Sequence, residues 1–179
     1  VRFSNATYSV LENKGWVEVD VELSFPFNAT MKVDYTTIDD VALSGQDYST
    51  VSGTVIFSPY ETKQTIFVPI TEDIDYEQPE TLKLKLLNPV VTTLSVPNTT
   101  TVTIYDNDAP PTVSFKAASY TVNEGVGTAA VQLQLTGASF EAVSVQAISS
   151  NNSATAGSDF VQVNEMVTFT PGSKTAVLN

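Results

Sequence analysis

The chain has no cysteine and no histidine, and its 179 residues carry only 8 basic side chains against 20 acidic ones. Each shortage excludes some chemistry. Without cysteine there is no disulfide, no thiolate nucleophile and no zinc–sulfur site. Without histidine there is no Ser-His-Asp triad and no imidazole base or ligand near neutral pH. The formal charge of −12 opposes attraction to nucleic acid or to an anionic membrane. No apolar run approaches the roughly 20 residues of a membrane span, so direct membrane insertion is not expected. A signal-peptide pattern is absent and the first residue, Val1, is not Met, so the sequence reads as a segment of a longer protein. EF-hand spacing and phosphate-binding glycine loops are also missing. Glu77 with Glu80, or Asp106 with Asp108, would make a glycosidase pair only beside a sugar groove, and no cluster of aromatics signals one. What remains suits a cation binder or a spacer, not an enzyme.

The organising feature is an internal repeat at an offset of 112 residues. Val1-x-Phe3 recurs as Val113-x-Phe115, and Tyr8-x-Val10-x-Glu12 as Tyr120-x-Val122-x-Glu124. Ala42-x-x-Gly45-x-Asp47-Tyr48 recurs as Ala154-x-x-Gly157-x-Asp159-Phe160, and Phe57-x-Pro59 as Phe169-x-Pro171. These matches divide the chain into a first copy over residues 1–108, a linker over 109–112 and a second copy over 113–179. Pro110-Pro111 makes that linker short, stiff and extended. Nothing in the second copy corresponds to residues 68–108 of the first. It is therefore expected to lack its C-terminal strands, and to be loose and proteolysis-prone unless later sequence or strand exchange with a neighbour completes it.

All the periodicity is two. Val17, Val19, Val21, Leu23 and Phe25 alternate with Glu18, Asp20, Glu22 and Ser24, giving a strand with one buried and one wet face. Shorter alternations follow in Val33-x-Tyr35, Val55-x-Phe57, Ile66-x-Val68-x-Ile70, Leu82-x-Leu84-x-Leu86 and Val102-x-Ile104. With a strand around Tyr8, these predict a seven-strand antiparallel sandwich of immunoglobulin-like size. The second copy repeats the pattern in Val131-x-Leu133-x-Leu135, Val143-x-Val145 and Val167-x-Phe169. The fold class expected is all-β, with tandem sandwiches of which the second is incomplete. Trp16, the only tryptophan, begins a strand and is expected to pack under a loop.

The acids are unevenly placed. Residues 1–108 hold 16 acids and 6 bases, residues 109–179 only 4 and 2. Glu18, Asp20 and Glu22 read as a solvated strand face. The others of interest lie at strand ends: Glu12, Asp47, the run Glu72, Asp73, Asp75, Glu77 and Glu80, and the pair Asp106 and Asp108. If each strand runs opposite to its predecessor, these four segments reach the same end of the first sandwich. Nine carboxylates so close repel by on the order of a kcal/mol per pair even with strong screening. Either a cation offsets this or some carboxylates keep their protons. Calcium is the suitable cation, because it takes 6–8 oxygens in flexible geometry, whereas magnesium requires a strict octahedron. Zinc and copper prefer nitrogen or sulfur ligands, which this chain lacks.

The same residues carry a family resemblance. Val1-x-Phe3, Tyr8-x-Val10-x-Glu12, Val33-x-Tyr35-x-Thr37, Ala42-x-x-Gly45-x-Asp47-Tyr48, Gly53-Thr54-x-x-Phe57-x-Pro59-x-Glu61-Thr62 and Glu77-x-x-Glu80-x-Leu82-x-Leu84-x-Leu86-x-Asn88-Pro89 resemble the Calx-β repeat of sodium–calcium exchangers, integrin β4 and large adhesion proteins. The resemblance implies calcium ligands at Glu12, Asp47, Glu72, Asp73, Glu77, Glu80, Asp106 and Asp108, with the main-chain carbonyl of Asp75 as a further one. The sequence departs from it in having Glu72 for a usual Asp, and Ile74 and Asn107 where exchanger-like repeats often carry Asp. Asp106-Asn107-Asp108-Ala109-Pro110 also resembles a cadherin linker, another calcium-dependent joint.

The function expected first is calcium-dependent stiffening of a tandem extracellular or cell-surface array. Its partners would be adjacent repeats of the same protein and an adhesion partner. The alternatives are a calcium sensor in a cytoplasmic loop of a membrane transporter, or a spacer indifferent to calcium. Four glycosylation triplets, at Asn5, Asn28, Asn98 and Asn151, arise easily in a chain rich in Asn and Thr and weigh little.

Overall fold

The structure, a computed structural model, describes all residues 1–179. It is all β, apart from short 3-10 turns, and no helix is long and apolar enough to cross a membrane. The chain forms two units, Val1–Asp73 with Gln78–Asn107, and Ile74–Glu77 with Asp108–Asn179.

The first unit contains β1 (Arg2–Phe3), β2 (Thr7–Leu11), β3 (Trp16–Glu22), β4 (Met31–Asp39), β5 (Ser52–Phe57), β6 (Lys63–Pro69), β7 (Glu80–Val90) and β8 (Thr99–Tyr105). They form two sheets, ordered β1-β3-β6 and β2-β8-β7-β4-β5. Seven strands become eight segments because the first is cut in two. β1 pairs antiparallel with β3, and β2 then crosses to the other sheet and pairs parallel with β8. The period-two patterns fill the space between the sheets: Phe3, Val19, Val21, Val33, Phe57, Val68, Leu82, Leu84, Leu86 and Val102 are all fully buried. Burying each such side chain is worth about 1.5–3 kcal/mol.

Two expectations need correction. The alternation of β3 does not extend to Phe25, which is 63% exposed, because the strand ends at Glu22 and Pro26 lacks a ladder N–H. Trp16 does not pack under a loop; it is 54% exposed, since the register that turns Val17 inward turns its neighbour outward. The acids of the same outer face behave as a solvated surface. Asp20 pairs with Lys63 at 2.8 Å and Glu22 with Arg2 at 2.7 Å.

Strand pairing also decides where the loops meet. The β2–β8 register ends with Leu11 opposite Tyr105, so Glu12 and Asp106 leave the sheet side by side. β7 begins at Glu80, opposite Ile104 near the end of β8. Three of the four acidic segments are thus brought to one end by backbone register alone.

The second unit contains β9 (Val113–Phe115), β10 (Val131–Leu135), β11 (Val143–Ile148), β12 (Asn164–Phe169) and β13 (Thr175–Leu178). Its sheets, β13-β10-β9 and β11-β12, reproduce β6-β3-β1 and β4-β5 at the offset of 112. Residues 119–123, the counterpart of β2, form no strand, since β2 owes its ladder to β8 and this unit has no equivalent. Tyr120 still donates its hydroxyl to the Gln132 carbonyl at 2.7 Å, as Tyr8 does to the Asp20 carbonyl. An open cleft of about 1000 Å³ lies between Phe115, Tyr120, Val122, Val131 and Leu178.

Phe3 and Phe115 occupy the same place in the repeat, yet Phe3 is 0% and Phe115 61% exposed. Phe3→Ala should therefore cost about 3–5 kcal/mol, and Phe115→Ala less than about 1 kcal/mol. Denaturant melts of the two variants test this; equal losses would mean that Phe115 is covered in solution.

Candidate metal centre

Glu12 opens a 3-10 turn (Glu12–Lys14) directly after β2. The turn closes on Gly15, whose φ of 76° is a left-handed conformation that suits glycine, and whose N–H reaches the Glu12 carbonyl at 3.2 Å. The Glu12 side chain is only 4% exposed. Its Oε1 accepts the Asp73 N–H at 2.7 Å. Burial raises its pKa above the usual carboxylate value; that N–H opposes the rise, and the charges of Asp73, Glu72 and Asp106 add to it.

Asp47 sits in the turn between β4 and β5. Its Oδ2 accepts the Leu43 N–H at 2.6 Å, and its own N–H donates to the Leu43 carbonyl at 3.0 Å. Gly45, at φ 89°, allows the chain to fold that tightly. Tyr48, fully buried beneath, donates its hydroxyl to Asp39, which also accepts the Ser44 N–H at 3.1 Å. The second copy builds the same turn: Asp159 accepts the Thr155 N–H at 2.7 Å, and Gly157 again has φ 89°. There Asn151 and Phe160 stand for Asp39 and Tyr48, so the carboxylate and the hydroxyl that it accepted are replaced together.

The run 72–80 is tied down at its start. Ile70 donates to the Gly15 carbonyl at 3.0 Å and Thr71 to the Asp47 carbonyl at 2.9 Å. Asp73 and Glu12 then offer carboxylate oxygens within 4.8 Å of each other, as do Asp47 and Glu80. The Glu80 pKa is pushed up to about 7, first by burial, then by the charge of Asp47, its hydrogen bond with Asp47 and the charge of Glu12. One oxygen of Glu80, Oε2, is buried without a hydrogen-bond partner.

The structure therefore joins Glu12, Asp47, Glu72, Asp73, Glu80 and Asp106 into one set within the first unit. The remaining three, Asp75, Glu77 and Asp108, lie on backbone that belongs with the second unit. In that unit Tyr76 bridges to Ser139. Glu124 and Asp159, the counterparts of Glu12 and Asp47, are both exposed. The sequence pattern left one member without a role. Asn107 accepts the Asn13 N–H through Oδ1 at 2.9 Å and donates to Glu72 Oε1 through Nδ2 at 3.3 Å.

Comparison with known proteins finds similarity along most of the chain. A family model, the Calx-beta domain, matches residues 1–108 and again 106–179. Sodium/calcium exchanger 1 of Rattus norvegicus is 32% identical over 152 residues, covering 74% of this chain and 16% of the exchanger. Sodium/calcium exchanger 2 of the same species is also 32% identical, over 148 residues. The chain thus spans about a sixth of these relatives' length. Among solved structures, an apo-form Calx CBD1 domain is 32% identical with a TM-score of 0.57, over 60% of this chain and 97% of that one. The calcium binding domain CBD12 of CALX1.1 matches 98% of this chain and 72% of its own length, at 25% identity and a TM-score of 0.59.

Proposed function

From the premise that this chain belongs to the Calx-beta domain family, in tandem, we propose that it is a calcium-sensing regulatory module of a membrane ion transporter. Its calcium would be held at the acidic end of the first unit, and its work is binding, not catalysis. The carboxylates of Glu12, Asp47, Glu72, Asp73, Glu77, Glu80, Asp106 and Asp108 would serve as ligands, and Asp75 would contribute its main-chain carbonyl. Glu77 lies three residues from Glu80, and Asp108 two from Asp106, so chain connectivity keeps them near the set already joined.

The observation that carries this reading is the Glu80 carboxyl, partly buried beside Asp47 with one oxygen unpartnered. A buried oxygen without a partner costs about 1–3 kcal/mol, and an arrangement that keeps it needs compensation. A hard divalent cation supplies that compensation: it gives the oxygen a ligand bond and offsets both the burial and the neighbouring charge that raise the pKa. The donor set fits calcium, being all oxygen and drawn from four separate loops that adjust to an irregular shell.

Binding that selects the folded, ordered loops stabilises them by RT ln(1 + [L]/Kd). The run 72–80 leaves the first unit at Asp73 and returns at Gln78, its middle belonging with the second. The exchanger relatives support the sensor in a cytoplasmic loop over the adhesive extracellular array expected from sequence. Transmembrane helices in flanking sequence would go with the sensor, further repeats and an export signal with the array.

Titration calorimetry tests the reading directly. Calcium should give saturable heat after chelator treatment, and magnesium at the same concentration little. No heat at millimolar calcium would leave the acidic end as a solvated surface of a spacer.

A further inference from the structure

We propose that Asn107 is a positioning residue, a neutral latch that holds the loop ends of the first unit in place before any cation arrives. Part of this, its effect on calcium, rests on the reading above; the latch itself does not.

The argument begins with what the position requires. The Asn13 backbone N–H can only donate, and the Glu72 carboxylate only accepts. The side chain between them must accept on one side and donate on the other. A carboxamide does both, and the two contacts fix its orientation, with Oδ1 toward Asn13 at 2.9 Å and Nδ2 toward Glu72 at 3.3 Å. An aspartate at 107 would keep the first bond and turn the second into repulsion. Alanine would lose both.

Asn107 thereby adds a tie among three elements: the exit of β8, the 3-10 turn that carries Glu12, and the start of the acidic run at Glu72. Asp106 directly precedes it in the same unit, so fixing Asn107 also restrains the backbone at Asp106. The repelling carboxylates are held near each other by a residue that adds no charge of its own. Preorganisation of this kind lowers the ordering cost paid on binding.

The test compares the whole chain with its Asn107→Ala and Asn107→Asp variants, first in chelator. Amide exchange followed by NMR should show the Asn13 N–H exchanging about tenfold faster in Asn107→Ala, the loss of one hydrogen bond. Asn107→Asp should keep that protection, because its carboxylate still accepts the N–H, yet melt at a lower temperature than the parent. Calorimetry should then show calcium affinity about tenfold weaker in Asn107→Ala and no weaker in Asn107→Asp. Unchanged Asn13 exchange in Asn107→Ala overturns the latch. Faster exchange with unchanged calcium affinity overturns its positioning role. If the parent itself takes up no calcium, the calcium reading fails, and the exchange and melting data in chelator still decide the latch.

Discussion

Calcium at about one hundred times its dissociation constant should raise the melting temperature of the first unit by on the order of 10 °C. The figure follows from mass action: such an excess stabilises by about 2.7 kcal/mol per independent site, and a domain of roughly 100 residues shifts by about 4–8 °C per kcal/mol. Asp47→Asn combined with Glu80→Gln should erase the shift. The two side chains lie within ligand distance of each other, and Glu80 holds the unpartnered oxygen, so neutralising both removes the charge and the chelating geometry together. The double variant should still fold. Asp47 holds the Leu43 N–H through one oxygen, and asparagine retains an acceptor for that bond. Glu80→Gln removes a charge whose repulsion the ion-free unit otherwise bears. In chelator the variant should melt at or above the parent's temperature, and added calcium should leave it there. A full shift in the double variant would place the ligands elsewhere.

Much of this arrangement was legible in the sequence, for reasons that differ by residue. Leu82, Leu84 and Leu86 alternate so regularly with polar neighbours that no other strand face fits them, and the repeat offset then locates the same elements in the second unit. Glu12, Glu80 and Asp106 were legible as a group because strand order alone brings their ends together. The split of the first strand was not, since Ser4–Ala6 carries no mark of a sheet change and the parallel pairing of β2 depends on β8, about 90 residues away. Trp16 was misread because a large aromatic at a strand start looks like core until the register of Val17 is known. The attachment of Ile74–Glu77 to the second unit depends on tertiary packing that no local pattern encodes. Asn107 was visible only as a departure from an acidic consensus; its role emerges when Asn13 and Glu72 are found on either side of the amide.

The ion-free first unit should lose stability as pH rises from about 4.5 to 7, the reverse of the usual behaviour of paired surface carboxylates. Glu80 titrates near 7 in the folded unit, against a reference of 4.5 for a free glutamate. Below 4.5 the group is protonated in both states and contributes nothing to the balance. Between 4.5 and 7 the unfolded chain has released the proton and the folded unit still holds it, so each step upward in pH favours unfolding. Above 7 both are ionised and the full repulsion from Asp47 and Glu12 stands. Glu12, also shifted upward by burial, adds in the same direction. Asp20, whose pKa is lowered chiefly by its hydrogen bond to Lys63, acts oppositely, but in a window below its reference of 3.8. The two effects are therefore separable along the pH axis. Calcium competes with the Glu80 proton, so its affinity should climb about tenfold per pH unit up to 7 and level off beyond. Glu80→Gln should flatten the stability profile in chelator and make the ion-free protein more stable than the parent at pH 8. Urea melts across pH 4 to 8, with and without calcium, measure both slopes. A parent whose chelated stability rises between pH 5 and 7 would show that Glu80 releases its proton at an ordinary pH and that the acidic end carries no strain for a cation to relieve.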